Sequence, residues 1–92
     1  MAVVVIQEFE ATPEEYDQVN EKLGEETPEG AILHAVSDLG GGRMRSIDIW
    51  ESAEHFQNFV QDRLIPAIAE VNPDAPQAQE PEIREIYDLQ QR

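Results

Sequence analysis

The feature that most constrains this fold is a set of strand-like stretches that are apolar on both faces. The stretch AVVVIQEF (2–9) is typical of a strand that is covered on both sides. The stretches AILHAVSDL (31–39) and RMRSIDIW (43–50) predict a hairpin with GGG (40–42) as its turn. The apolar residues of this hairpin divide between its two faces: Leu33, Ala35, Ile47 and Ile49 on one, and Ile32, Val36, Met44 and Trp50 on the other. A sheet of such strands needs cover on both sides.

The first of two predicted helices follows the first strand. Thr12 is placed to cap it, Pro13 occupies its first position, and Glu15 completes a capping box. The helix is expected to run to about Glu26, where the sequence TPEG (27–30) breaks it. Its apolar positions have helical spacing: Tyr16, Val19 and Leu23.

The second predicted helix is capped by Ser52 and has a long apolar stripe. The stripe comprises Phe56, Phe59, Val60, Leu64, Ile68 and Val71. Pro66 lies within it and predicts a kink or break near residues 64–65. A proline-containing connection (72–82) then leads to the last predicted strand, EIREIYDL (82–89).

The predicted order of elements is strand, helix, strand, strand, helix, strand. This βαββαβ order, in a single domain spanning residues 1–92, indicates a ferredoxin-like α+β fold with an antiparallel four-stranded sheet. Right-handed crossovers place both helices on one face of the sheet. Because the chain offers nothing further for the other face, we expect a second copy to cover it, as in a dimeric α/β barrel.

The charge of the chain narrows the possible partners. Its 92 residues include 20 acidic and 6 basic ones, a net charge of −14, which disfavours nucleic acid and anionic membranes. The same charge argues against an RNA-recognition domain, which shares this strand order. The sequence has no cysteine, and it shows no signal peptide or membrane span, so a cytoplasmic protein is expected. The acidity suits a halophilic source, with an ordinary acidic protein as the alternative.

Polar residues in the hairpin mark a candidate site. If the turn has three residues, Leu39 pairs with Arg43 and His34 lies directly opposite Asp48, with Cβ atoms about 4.5–5.5 Å apart. In this register Ile32 would oppose Trp50 and Val36 would oppose Ser46, whereas a slip by one residue would separate His34 from Asp48. One face then carries His34, Met44, Ser46, Asp48 and Trp50, and either Tyr16 or the second helix would cover it.

Two interpretations of this face stay open. In the first, His34 and Asp48 are catalytic, and the carboxylate orients the imidazole as a general base for a phenol or enol-like substrate. The remaining residues, Trp50, Ser46, Met44 and Tyr16, would then bind the ligand. In the second, His34 and Asp48 are a buried structural pair. No metal-binding or phosphate-binding motif is present in the sequence, so neither a metal nor a cofactor is expected.

Three other residues have simpler expected roles. His55 lies in the first turn of the second helix and is expected to be exposed. Arg63 is expected to form a surface ion pair, with a carboxylate across the dimer or an acidic substrate as the alternative partners. Tyr87 is expected to pack in the core with its hydroxyl at the rim.

Two long stretches resemble a known superfamily. The stretch PEGAILHAVSDLGGGRMRSIDIWESAEHFQNFVQDRLIPAI (28–68) resembles small bacterial proteins of the dimeric α/β-barrel superfamily, which includes the antibiotic biosynthesis monooxygenases. The stretch IQEFEATPEEYDQVNEKLG (6–24) is similar to the same group. The pieces that carry the resemblance are PEG…LH, DIWES and F…RLIPAI.

The resemblance implies a homodimer with a pocket between sheet and helices for a small aromatic or apolar ligand. It implies either a cofactor-independent monooxygenase-like or isomerase-like enzyme, or a non-catalytic homodimer that binds a ligand or another protein. Haem-degrading members of the superfamily use an Asn, a Trp and a His. Trp50 is a candidate for that Trp, but the first strand offers Gln7 and no Asn, and the second helix has no His in its later turns. Haem degradation is therefore not expected.

Overall fold

A four-stranded antiparallel sheet forms the centre of the fold. The computed structural model describes residues 1–76 and 79–91. The strands are β1 (Val3–Glu10), β2 (Ala31–Gly40), β3 (Arg43–Trp50) and β4 (Glu82–Glu85). They are ordered β2-β3-β1-β4, so β1 and β3 are central. This order and the helices between the strands confirm the ferredoxin-like prediction. The predicted connection 72–82 includes residues 77 and 78, which lie outside the described residues.

Helix α1 (Pro13–Leu23) begins at the predicted capping box. The Thr12 hydroxyl accepts a hydrogen bond from the Glu15 N–H at 3.1 Å, and the Glu15 carboxylate accepts one from the Thr12 N–H at 3.1 Å. The helix ends three residues before the predicted Glu26. Gly24 stops it with a φ of +79°, a conformation that glycine adopts at little cost, and its N–H bonds to carbonyls of the last turn.

The second helical stretch is continuous and has an unusual centre. Helix α2 (Ala53–Phe59) passes through a π-helical segment (Val60–Leu64) into α3 (Ile65–Val71). Pro66 has no N–H to donate to a carbonyl four residues back. The Ile65 N–H bonds to the Val60 carbonyl, five residues back, so the helix widens locally where a kink or break was predicted. None of the described helices has the length and apolar character needed to cross a membrane.

Both helical stretches pack on the same face of the sheet, which we call the inner face. Its core comprises Val3, Val5, Trp50 and Phe56, all nearly inaccessible to solvent. The Trp50 ring lies 5.8 Å from Phe56 and 5.3 Å from Phe59 between centroids. Burial of these large side chains is the main stabilising contribution that the chain can make without disulfides.

Arg63 joins the two helical stretches. Its guanidinium donates a hydrogen bond to the Leu23 carbonyl at 2.8 Å and lies over the Phe59 ring at 5.8 Å. The prediction of a surface ion pair is therefore wrong. Arg63 satisfies a free carbonyl at the C-terminus of α1, where the helix dipole also favours a positive charge.

The β2–β3 hairpin has a shorter turn than predicted but keeps the predicted pairing. Gly40 pairs with Arg43, leaving a two-residue turn of Gly41 and Gly42, whose φ values of +64° and +79° suit a type I′ turn. An irregularity between Asp38 and Gly40 places one extra residue, Leu39, in β2. This bulge offsets the missing turn residue.

Beyond the bulge the predicted register is confirmed. His34 pairs with Asp48, and Val36 pairs with Ser46. A second irregularity, between Ala31 and Leu33, makes Ala31 the partner of Trp50. The prediction that Ile32 opposes Trp50 is therefore wrong, and Ile32 is 39% exposed.

Strand β4 is shorter than predicted. It ends at Glu85, which pairs with Val3 at the start of β1, so the residues after it lie beyond the end of β1. The Ile86 N–H still donates a hydrogen bond to the carbonyl of Ala2, the residue before β1. The predicted strand to residue 89 and the predicted core position of Tyr87 are both wrong. Tyr87 is fully exposed, and Leu89 is exposed as well.

The opposite face of the sheet, which we call the outer face, is apolar and open. The strand pairings place six apolar residues on it: Val4, Ile6, Leu33, Ala35, Ile47 and Ile49. Leu33 is 47% exposed and Ile47 is 40% exposed. The charged strand residues of this face are three arginines and three glutamates: Arg43, Arg45, Arg84, Glu8, Glu10 and Glu82. The formal charges of these six residues cancel, in a chain whose net charge is −14.

Candidate functional site

Four hydrogen-bonded side chains form a line across the inner face. His34 Nδ1 lies 2.5 Å from Asp48 Oδ1, and the Tyr16 hydroxyl lies 2.6 Å from His34 Nε2. The Trp50 indole N–H donates to Asp48 Oδ2 over a longer distance of 3.4 Å. We call these four residues the His34 network. The structure therefore brings together the pair predicted as catalytic and two of the residues predicted to bind a ligand.

The network is built from three elements. His34 lies on the edge strand β2, and Asp48 lies directly opposite it on β3. On its other side Asp48 pairs with Val5 of β1, which is 1% exposed. Tyr16 reaches His34 from the first turns of α1. The carboxylate is consequently enclosed, with 13% of its side chain exposed, whereas half of the imidazole (51%) faces solvent.

The carboxylate controls the charge of the imidazole. The hydrogen bond to Asp48 raises the pKa of His34 above its usual 6.5, and partial burial opposes that increase. In the neutral ring Nδ1 carries the proton and donates to Asp48, so Nε2 is the atom that accepts. A histidine held in this tautomer can act as a general base through Nε2.

Tyr16 is held in its protonated form. Burial raises the pKa of its hydroxyl, and the negative charges of Asp48 and Asp17 raise it further. When His34 is neutral, the hydroxyl therefore donates to its Nε2. The two rings are nearly parallel, at 13°, with centroids 6.2 Å apart.

The other residues predicted to bind a ligand lie on the same face with different degrees of involvement. Trp50 is both a core residue, 3% exposed, and a hydrogen-bond donor to Asp48. Ser46 and Met44 follow Asp48 along β3 toward the turn, where they pair with Gln7 and Phe9 of β1. Both are buried. They extend the inner face beyond the His34 network.

Two hollows in the surface lie away from the network. One, of about 400 Å³, is lined by Gln18, Glu21, Lys22 and Val71. The other follows the outer side of α1 and its C-terminal turn. Both are lined mainly by exposed polar residues, and the described residues of neither include a histidine, a tyrosine or a serine. The chemistry of the chain therefore points to the His34 network. Within residues 1–76 and 79–91, no group of three or more potential metal ligands is clustered.

Sequence reasoning missed two links of the network. It placed Tyr16 only as a roof, and it did not foresee that Trp50 donates to Asp48. Both depend on how α1 and the indole lie over the sheet, and this placement cannot be derived from the spacing of residues in the sequence. His55 was also misplaced: it is partly buried, and its ring lies 2.6 Å from the Ser52 hydroxyl that caps α2.

The hydrogen bond to Asp48 predicts that the imidazole of His34 titrates with a raised pKa. By NMR, we expect the midpoint of His34 to lie above 6.5 and to fall in the Asp48→Asn variant, which removes the carboxylate. Since the folded pKa is raised, the pair contributes stability fully below about pH 6.5, and this contribution is lost as pH rises through the folded pKa. Half of the ring is exposed, so the effect on the free energy of unfolding should stay below about 1 kcal/mol. An unchanged midpoint in Asp48→Asn would show that the carboxylate does not control the ring.

Comparisons with known proteins support the fold. None of the family models matches this sequence, and no curated protein matches it either. Among solved structures, a candidate antibiotic biosynthesis monooxygenase from Chloroflexus aurantiacus has a TM-score of 0.70 at 18% identity, covering 99% of this chain and 98% of that one. SnoaB from Streptomyces nogalater, described as a cofactor-independent oxygenase, has a TM-score of 0.64 at 14% identity, covering 96% and 95%.

A third similar structure has no assigned role. A protein of unknown function from Nitrosomonas europaea has a TM-score of 0.67 at 11% identity, covering 99% of this chain and 94% of that one. These identities are too low to transfer an activity, but the match over the full length is a match of fold. The chain has the fold of the antibiotic biosynthesis monooxygenase-like proteins, so the fold that the sequence resemblance implies is confirmed.

Proposed function

We propose that this protein is a homodimeric, cofactor-independent oxygenase that removes a proton from an uncharged phenol or enol-like substrate. The observation that supports it is the His34 network, in which a carboxylate fixes the tautomer of a half-exposed imidazole. This is the arrangement of an oriented general base. The acidic chain, with its net charge of −14, favours a substrate that is uncharged before it loses its proton.

The proposed reaction uses molecular oxygen as the oxidant. The base removes a proton and leaves an electron-rich anion, which reacts with O₂. In the overall balance a methylene group next to the phenolic ring becomes a carbonyl: R₂CH₂ + O₂ → R₂C=O + H₂O. One oxygen atom enters the substrate, and the other leaves as water. The description of SnoaB as a cofactor-independent oxygenase on the same fold supports this reaction class.

The homodimer is proposed from the outer face. Six apolar residues on a water-exposed sheet face are unusual for a monomer of this size. Two copies of a chain with a net charge of −14 repel each other unless the surfaces that meet are neutral. The charged strand residues of the outer face sum to zero, and Arg45 already donates to Glu8 at 2.9 Å. A second copy packed face to face would satisfy both requirements.

The competing candidate is a non-catalytic homodimer that binds a small ligand or another protein. This candidate is favoured because the hydrogen-bonding atoms of His34 and Asp48 already have partners within the chain. Both oxygens of Asp48 already accept hydrogen bonds, and both ring nitrogens of His34 have partners within the chain. A structural pair would look the same.

An oxygen-consumption screen separates the two candidates. Wild-type protein is offered phenolic and polyketide-like compounds, and a thermal-shift screen of the same compounds reports binding. On a compound that is oxidised, we expect His34→Ala and Asp48→Asn to lower kcat by about 10²–10⁴-fold. Asp62→Asn, the same chemical change at an exposed position, is the control. If both network variants keep full activity, the site assignment is wrong. Binding without oxidation of any compound would favour the non-catalytic homodimer.

A further inference from the structure

The imidazole of His34 has no free nitrogen for a substrate. Nδ1 is bonded to Asp48, and Nε2, the atom that would accept a proton, is bonded to the Tyr16 hydroxyl at 2.6 Å. A substrate can reach Nε2 only if Tyr16 moves away, or it can deliver its proton through Tyr16. The two routes assign different roles to Tyr16.

The anchoring of α1 favours the second route. Tyr16 lies one turn into the helix, directly after the capping box formed by Thr12 and Glu15. At the other end of the helix, Arg63 holds the Leu23 carbonyl at 2.8 Å. Both ends of α1 are therefore fixed, and with them the backbone that carries Tyr16. A side chain on a fixed backbone is pre-organised as a reacting group, whereas rotating it aside would break its 2.6 Å hydrogen bond to His34.

We infer that the Tyr16 hydroxyl is the group that meets the substrate and relays its proton to His34, an inference that rests on the proposed function. The substrate X–H bond breaks as its proton transfers to Tyr16 Oη. The original Oη–H bond of Tyr16 breaks as that proton transfers to His34 Nε2. Tyr16 ends the step as a neutral phenol, the substrate as an anion, and His34 as an imidazolium paired with the Asp48 carboxylate. The step transfers protons only, and no group changes its oxidation state.

The negative charges near Tyr16 also restrict the charge that a substrate can carry. Asp17 follows Tyr16 in the chain, and Asp48 lies on the far side of His34. Both carboxylates disfavour an anionic group beside the hydroxyl until the imidazolium has formed. The relay therefore suits an uncharged phenol or enol, and it disfavours a substrate with a carboxylate near the acidic proton.

Tyr16→Phe tests the relay, with 1,8-dihydroxyanthrone as the probe and oxygen uptake as the readout. We expect a loss of about 10²-fold in kcat. Tyr87→Phe, the same change at a fully exposed tyrosine, should keep wild-type activity. The rate in mixtures of H₂O and D₂O gives a second readout. Transfer of two protons in one step predicts a curved dependence on deuterium content in wild type, and a linear one for the residual activity of Tyr16→Phe. An NMR titration of His34 in Tyr16→Phe verifies that the pair with Asp48 is intact.

The possible failures are distinguishable. If Tyr16→Phe keeps at least half of the wild-type activity while His34→Ala loses it, then His34 is the direct base and the relay is overturned. The same holds if the deuterium dependence is linear in wild type. If His34→Ala and Asp48→Asn both keep full activity, the proposed function fails before the relay is considered. If wild type does not accelerate oxidation of the probe at all, the proposed function fails for this class, and the relay fails with it.

Discussion

Replacing Ile47 with glutamate is expected to convert the proposed homodimer into monomers. Ile47 lies at the centre of the outer face, on β3, between Ile6 of β1 and Ala35 of β2. An unpaired charge buried against apolar side chains costs several kcal/mol. A two-fold interface contains every substitution twice. We therefore expect at least about 4 kcal/mol of lost association free energy, or about 10³-fold in Kd.

Sedimentation velocity across a concentration series measures this effect. Gln57→Glu adds the same charge at an exposed position of α2 and should leave the dimer intact. Ile47 is 40% exposed in the single chain, so the variant should keep its secondary structure by circular dichroism. A wild-type protein that sediments as a folded monomer would refute the dimer. So would an Ile47→Glu variant that sediments as a dimer.

Replacing Gly30 with alanine is expected to cause a large loss of stability. Gly30 occupies the third position of a tight turn closed by a hydrogen bond from the Ala31 N–H to the Pro28 carbonyl, and its φ is +85°. An added Cβ would lie 2.4 Å from His55 Cγ and 2.6 Å from His55 Cβ. His55 cannot easily retreat, because its ring and its N–H are both bonded to Ser52. Backbone strain and overlap together should cost about 2–4 kcal/mol.

Thermal unfolding measures this loss, and a cost of this size should lower the Tm by more than about 10 °C in so small a domain. Gly42→Ala is the matched control. Gly42 is also the third residue of a tight turn and has a φ of +79°, but an added Cβ there meets nothing within 4 Å. His55→Ala in the Gly30→Ala background should recover most of the difference between the two glycines. Equal losses at Gly42 and Gly30 would show that His55 gives way.

The fold was largely predictable because its signals are local. The capping box at Thr12 and the change from strand to helix periodicity are properties of neighbouring residues. The two-sided apolar character of the strands could also be read directly. The pairing of His34 with Asp48 followed from counting residues back from the glycine turn. That count gave the correct pair although the turn has two residues, because the bulge at Leu39 restores the count.

The predictions that proved wrong concern features that depend on packing between residues distant in the sequence. The last strand stops at Glu85 because β1 begins at Val3, a limit set by a strand distant in sequence. Arg63 contacts the end of α1, forty residues earlier, which no helical pattern reveals. The helix around Pro66 continues because a π-helical bond replaces the one that proline cannot make. The Tyr16 contact to His34 likewise depends on the placement of α1 over the sheet.

The bulge at Leu39 has a consequence for how this hairpin tolerates insertions and deletions. The alignment of the two strands over the site is maintained by the side chains below the bulge, while the tip contains three glycines that have open space around an added Cβ. A residue lost from the tip can be absorbed by straightening the bulge, because Leu39 then pairs with Arg43 around a two-residue turn, and the geometry of the imidazole and the carboxylate is unaffected. The turn can therefore change in length and composition while His34 and Asp48 stay opposite each other.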